Sequence, residues 1–227
     1  MIRLVLIRHA ATRMNDMKRL QGRTDPPLSP RGRDQALALA SDLDRLLGCE
    51  ARIWTSDSRR ARETADLALG GRIQRSDRRL REYHFGAFEG ATYEENVRRH
   101  GLRFHRWIDD PARWPPPGGE TLQDFQSRVE RWLHDARVEG EVVAVTHGGV
   151  IRVILALLAG VALPEAPPSI VETGTILDLR EAGGLWRVRP GTGAVHDPAA
   201  DGMPLHDFLS DPIVPTHTTE ETTDEPT

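Results

Sequence analysis

The sequence predicts an α/β fold: a three-layer sandwich, with a mainly parallel central sheet and helices on both faces. Three observations point there. Short apolar runs of strand type alternate with amphipathic helical segments along most of the chain. The runs at 2–7 and 142–146 are almost continuously apolar, the pattern of strands buried on both faces. Several strand runs stop abruptly at polar, chemistry-bearing residues, and in such sheets ligands bind beyond the carboxyl ends of the strands.

The elements follow in order. Residues Ile2 to Ile7 form the first strand, and a loop carries "QGRTDPPLSP". Ser29 is placed to cap a helix whose first residue is Pro30. Ala36, Leu39, Ala40, Leu43, Leu46 and Leu47 fall on one stripe of that helix, which Gly48 ends. "ARIWTS" is a second short strand, followed by a helix capped by Asp57 or Ser58 and running through Leu69 to Gly70-Gly71. After the loop "LREYHFGAFEG", a weaker helical segment spans Thr92 to Ile108. "DDPARWPPPGGE" is a stiff connection. Thr121 with Asp124 resembles a capping box for an amphipathic helix containing Phe125, Val129, Trp132 and Leu133. "VVAVT" is a buried strand that breaks at His147-Gly148-Gly149 into an apolar helix, Val150 to Leu158. "TILDL" and "LWRVR" pair as a hairpin across Gly183-Gly184.

Residues 1–190 are thus expected to form one domain, with 91–120 as a lid or substrate segment. The Thr-rich acidic tail, 191–227, is expected to be partly disordered.

Composition narrows the function. The 227 residues carry a net charge near −4, which argues against a nucleic-acid binder. All the basic residues except Lys18 are arginine, a residue suited to gripping phosphate or carboxylate. Cys49, the single cysteine, reads as a half-buried spacer, excludes an intrachain disulfide and fits a cytoplasmic protein. No apolar run is long enough to span a membrane and no leader pattern opens the chain. No His/Asp/Glu spacing makes a metal site, so neither metal nor cofactor is expected.

Three strand ends deliver Arg8-His9, the "TSDSRRA" segment and "THGG" towards one crevice. Two histidines and two arginines there suit phosphoryl chemistry. Guanidinium forks can neutralise a phosphomonoester, and a neutral imidazole can attack phosphorus. A second imidazole can donate to a nonbridging oxygen, and amides at Gly148 and Gly149 open a helix where an anion is favoured. Glu82 is a candidate acid for the leaving oxygen.

"LIRHAAT", "SDSRRARETA", "LREYHFGAFEG" and "VTHGGVIR" resemble, in order and spacing, the four signature blocks of the histidine phosphatase, or phosphoglycerate-mutase-like, superfamily. The resemblance covers about residues 2 to 180. It implies the fold of that superfamily and hydrolysis of a phosphomonoester without metal, through a phosphohistidine. It further implies that His9 is the nucleophile, that Arg8 and Arg60 clamp the phosphoryl group, that His147 completes the pocket and that Glu82 is the acid. The resemblance also implies that Asn15, Thr12, Gln21, Gly22 and Gly148 fall at phosphate- or substrate-binding positions. The block's pattern selects Arg60 over Arg59 and Arg62.

Ala10 replaces the usual glycine of the first block, Ala11 a common Glu or Gln, and Met14 a common Trp. The short, Pro-rich lid resembles the phosphatase branch, including enzymes acting on α-ribazole phosphate and broad-specificity phosphatases. Two other functions are kept beside hydrolysis: phosphoglycerate-mutase-type transfer and a non-catalytic binding role. The expected partner is a small phosphate ester, with no nucleic acid and no membrane, and a homodimer as an option. His84 is read as an ordinary loop histidine, and His100, His105 and His134 as surface or interhelical groups. Among Arg98, Arg99, Arg103 and Arg106 in the lid, one could reach an anionic part of the substrate.

Overall fold

The computed structural model describes residues 2–136, 140–163, 171–191 and 203–204. Within them a seven-stranded sheet runs in the order β3-β2-β4-β1-β5-β6-β7. The strands are β1 (Ile2–Arg8), β2 (Arg52–Thr55), β3 (Gln74–Ser76), β4 (Gly140–Thr146), β5 (Ile176–Ala182), β6 (Leu185–Gly191) and β7 (Met203–Pro204). The first four are parallel to one another; β5, β6 and β7 extend the sheet in antiparallel pairs. The β5–β6 hairpin turns at Gly183 and Gly184, both at positive φ, the geometry a two-residue turn demands.

Continuous apolar runs in β1 and β4 have the expected cause. Leu4, Leu6, Val142 and Ala144 pack on one face with α6 (Leu122–Ala136) and α7 (Gly148–Ala159). Val5, Ile7, Val143 and Val145 pack on the other with α2 (Pro30–Leu46) and α3 (Arg59–Ala68). Alternate side chains point to opposite faces, so the middle of a strand covered on both sides is apolar at every position, and charge is left to its ends, as at Arg3 and Glu141. Ser29 caps α2 by accepting from the Gly32 amide at 3.1 Å, and Thr121 accepts from the Asp124 amide at 3.0 Å at the start of α6.

Some elements differ from the sequence reading. The segment 92–108 is two helices, α4 (Tyr93–His100) and α5 (Leu102–Asp109), broken at Gly101 with φ 51°. A side chain there would resist that backbone, so the break belongs to the glycine. A single helical turn, α1 (Arg13–Asp16), stands inside the first loop, with Thr12 as its cap. The strand β3 is too short and polar to show in the sequence. Cys49 is exposed rather than half-buried. The tail expected to be disordered lies, beyond 203–204, outside the described residues, although β7 adds an unforeseen strand there.

The first loop is pinned where it leaves β1. Gly32 sits under it: a Cβ at that position would stand 1.9 Å from the Ala11 carbonyl oxygen. Backbone on both sides leaves nothing flexible to give way. Gly32→Ala is therefore expected to lower unfolding free energy by about 1–3 kcal/mol through overpacking. Urea denaturation checks this, and an unchanged midpoint would refute the tight packing of α2 on the loop.

Candidate active site

The carboxyl ends of β1, β2 and β4 bring the predicted residues together. His9 follows β1 directly, and its amide donates to Thr146 O at 2.8 Å, so the register of β1 on β4 holds its backbone. The side chain is only 2% exposed. Its Nδ1 lies 2.8 Å from Ala10 O, while Arg60 Nε donates to its Nε2 at 3.3 Å. A donor on Nε2 requires a lone pair there, which puts the ring proton on Nδ1. Burial, then the charges of Arg60 and Arg8, hold the His9 pKa well below the usual histidine range. The resting ring is neutral, with its lone pair on Nε2.

His147 caps α7 and is fully buried. Its ring lies 5.1 Å from that of His9, centroid to centroid. Nε2 sits 2.9 Å from Ser56 Oγ and 3.2 Å from Ser58 Oγ, whereas Nδ1 has no hydrogen-bond partner among the described residues. Burial, followed by Arg60 and His9, pushes its pKa well down too.

The two arginines are held differently. Arg60, on α3, is wholly buried and spreads its guanidinium over the first loop. Its Nη1 donates to Thr24 O at 3.0 Å and Asp25 Oδ1 at 3.3 Å, and its Nη2 to Gln21 O and Gly22 O at 3.2 and 3.1 Å. Arg8 donates through Nη1 to Val171 O, while its buried Nε makes no hydrogen bond among the described residues. Burial lowers the pKa of both guanidiniums, opposed chiefly by Glu82 in each case. Arg59 and Arg62 are not at the centre: Arg59 faces Glu63 at 2.7 Å.

Glu82 stands across the cavity. Its carboxylate accepts from the amides of Tyr83 at 2.9 Å and Gly149 at 3.1 Å. The helix-start amide expected for phosphate at Gly149 is thus engaged by Glu82. Gly148 lies against the Arg8 guanidinium, where a Cβ would be 3.3 Å from Cζ.

The loop residues have mixed positions. Asn15 Oδ1 accepts from Thr12 N at 3.0 Å and Thr12 Oγ1 at 2.9 Å, an arrangement that leaves its amide nitrogen for another partner. Thr12 Oγ1 also lies 2.9 Å from Gln21 Oε1, and the buried Gln21 Nε2 has no partner among the described residues. Gly22 has a packing reason to be glycine: a Cβ would meet Tyr83 O at 2.2 Å. Ala10 is buried and donates its amide to Thr64 Oγ1 at 3.0 Å. It does not occupy the left-handed region, so the alanine is unstrained where glycine was expected.

Arg8, Glu82, Gly148 and Gly149 line a cavity of about 380 Å³. Phe85, Trp107, Leu122 and Phe125 give it an apolar wall. None of Arg98, Arg99, Arg103 and Arg106 lines it, nor does His84, which faces Glu89 at 3.7 Å. The arginine that does line it, apart from Arg8, is Arg152 of α7, which the sequence reading missed. Its signal was present: position 152 lies one helical turn beyond Gly148, on the same face. Ser56, Ser58 and Arg128 were missed as well. Arg128 donates to the carbonyls of Arg79, Arg81 and Glu82 at 2.7, 2.6 and 3.0 Å and so fixes the loop that carries Glu82. No group of three or more potential metal ligands occurs among the described residues. No described helix is long and apolar enough to cross a membrane.

The chain resembles known proteins in sequence and in fold. The chain is 39% identical over 182 residues to glucosyl-3-phosphoglycerate phosphatase of Mycolicibacterium vanbaalenii, covering 73% of this chain and 77% of the relative. It is 33% identical over 171 residues to phosphoserine phosphatase 1 of Hydrogenobacter thermophilus, covering 73% and 80%. The crystal structure of α-ribazole phosphatase from Shigella flexneri superposes with a TM-score of 0.75 at 27% identity, over 86% of this chain and 98% of that one. The profile of the histidine phosphatase superfamily (branch 1) matches residues 4–190, and the chain belongs to that family.

Proposed function

We propose that this phosphatase hydrolyses a small phosphorylated metabolite, without metal, through a phosphohistidine on His9. The observation that carries the reading is the state of His9: a buried neutral imidazole with its Nε2 lone pair turned to Arg60, beside His147. Nε2 attacks phosphorus as the bond to the leaving oxygen breaks. Protonated Glu82 gives its proton to that oxygen. Its carboxylate then takes a proton from water, which attacks the phosphohistidine and releases phosphate and His9. Arg8 and Arg60 balance the charge on the transferring group, and His147 donates from Nδ1 when a serine hydroxyl donates to its Nε2. Asn15, Thr12, Gln21 and Gly148 surround the phosphoryl group from the loop and the α7 start; Gly22 supports the loop through its carbonyl.

The same reading makes 91–120 the lid of a domain spanning 1–190, since Trp107 and Pro111 line the cavity. The leaving group then lies against Phe85, Trp107 and Phe125, with Arg152 at its edge. This wall favours an organic portion with an apolar face.

Three results are expected. His9→Ala abolishes phosphate release from a panel of phosphomonoesters in EDTA, and the native chain quenched in turnover carries acid-labile phosphate on His9. Label on another residue, or activity in His9→Ala, would overturn the assignment. Glu82→Gln lowers kcat by about 10²–10⁴-fold on alkyl phosphates and far less on p-nitrophenyl phosphate, whose leaving group needs little protonation. Equal losses on both substrates would remove Glu82 as the acid. Imidazole ¹⁵N spectra of the ligand-free chain show His9 and His147 neutral as pH falls through about 6.5, where an unperturbed histidine gains its proton. Depressed values leave these rings uncharged above their own pKa, so protonation of either at that pH would contradict the burial argument.

A further inference from the structure

A second cleft, of about 720 Å³, shares no lining residue with the cavity of Arg8, Glu82 and Gly148. Six arginines, Arg23, Arg78, Arg79, Arg81, Arg128 and Arg131, line it together with one carboxylate, Asp77. Three of them are spoken for. Arg79 joins Asp77 and Asp135, Arg81 grips Asp57 through two bonds of 2.6 and 2.5 Å, and Arg128 meets Glu120 at 2.7 Å. These pairs brace the segment leading to Glu82, and a structural role accounts for them.

It does not account for the other three. Arg23 comes no nearer than 3.9 Å to Glu120, whose carboxylate Arg128 already holds. The Arg23 Nη1 is buried with no acceptor among the described residues. Arg78 and Arg131 are exposed and form no ion pair among the described residues. Six arginines thus face one cleft on a chain whose net charge is −4. Charges of one sign gathered in a cleft concentrate counter-ions, and guanidinium forks match phosphate oxygens. Repulsion from Arg128 and Arg81 adds to burial in lowering the Arg23 pKa, a penalty that a bound anion would relieve.

We propose that this cleft binds a compact multivalent anion, of the polyphosphate or multiply phosphorylated metabolite class, at a place separate from the phosphomonoester cavity. The site needs no turnover to exist and does not depend on the reading of His9. The ligand would nonetheless lie close to the catalytic groups in sequence, since Arg23 follows Gly22 and Arg81 precedes Glu82.

Calorimetric titration of sodium tripolyphosphate into the full chain tests this, because heat of binding is read whether or not the protein is active. The native isotherm is expected to contain one binding event that Arg78→Ser/Arg131→Ser loses or weakens by at least about tenfold. That event weakens further as salt is raised. Arg78→Lys/Arg131→Lys restores most of it, since charge is kept. Both arginines are exposed, so the substitutions leave the core intact, and coincident urea unfolding curves verify it. Superimposable isotherms for the native chain and the serine variant would overturn the proposal, as would a difference that the lysine variant fails to narrow.

Discussion

Everything at the carboxyl edge of the sheet depends on one buried charge. The Arg60 guanidinium is withdrawn from water, and a cation so placed must be surrounded by acceptors. The chain meets that demand with the carbonyls of Gln21, Gly22 and Thr24, which forces the first loop to fold over α3. The loop in turn is closed from the other side by Glu89, whose carboxylate accepts from the Arg23 and Thr24 amides at 2.9 and 2.7 Å. The residues from Thr12 to Gly22 owe their position to this arrangement more than to any propensity of their own.

The same cation sets the electrostatics of the two histidines. Arg60 and Arg8 both disfavour an imidazolium, and burial disfavours it more. Neutral rings in a cationic cage are a poor resting state for most purposes and a good one for receiving a dianion. Carboxylates face the guanidiniums as well: Asp25 pairs with Arg60 at 3.3 Å, and Glu82 opposes the lowering of both arginine pKa values.

Much of this was legible because strand ends and helix starts carry their own punctuation. The abrupt change from Ile7 to Arg8-His9 and from Thr146 to His147-Gly148 marks two strand termini, and parallel pairing of β1 with β4 sets them side by side. What was not legible rests on contacts between distant segments. Arg128 is an ordinary residue of an amphipathic helix until its three carbonyl partners are seen. Arg152 hides on a helix that reads as apolar throughout. The break at Gly101 is hidden because one glycine within a helical pattern is usually tolerated, and only its backbone angle shows otherwise. The arginine-lined cleft is invisible for the same reason: its six arginines come from three separate stretches of chain.

The packing at Gly149 separates two properties that are usually entangled. A Cβ there would stand 2.2 Å from Glu82 Oε1, yet that atom is the tip of a flexible side chain and not backbone as at Gly32. A single added methyl would displace the carboxylate while α7 kept its course. The location of the Glu82 carboxylate can thus be adjusted from the opposite wall of the cavity, leaving the residue's identity and the scaffold unaltered. For anyone redesigning this pocket around a bulkier or smaller alcohol, position 149 is a dial on reach, independent of fold.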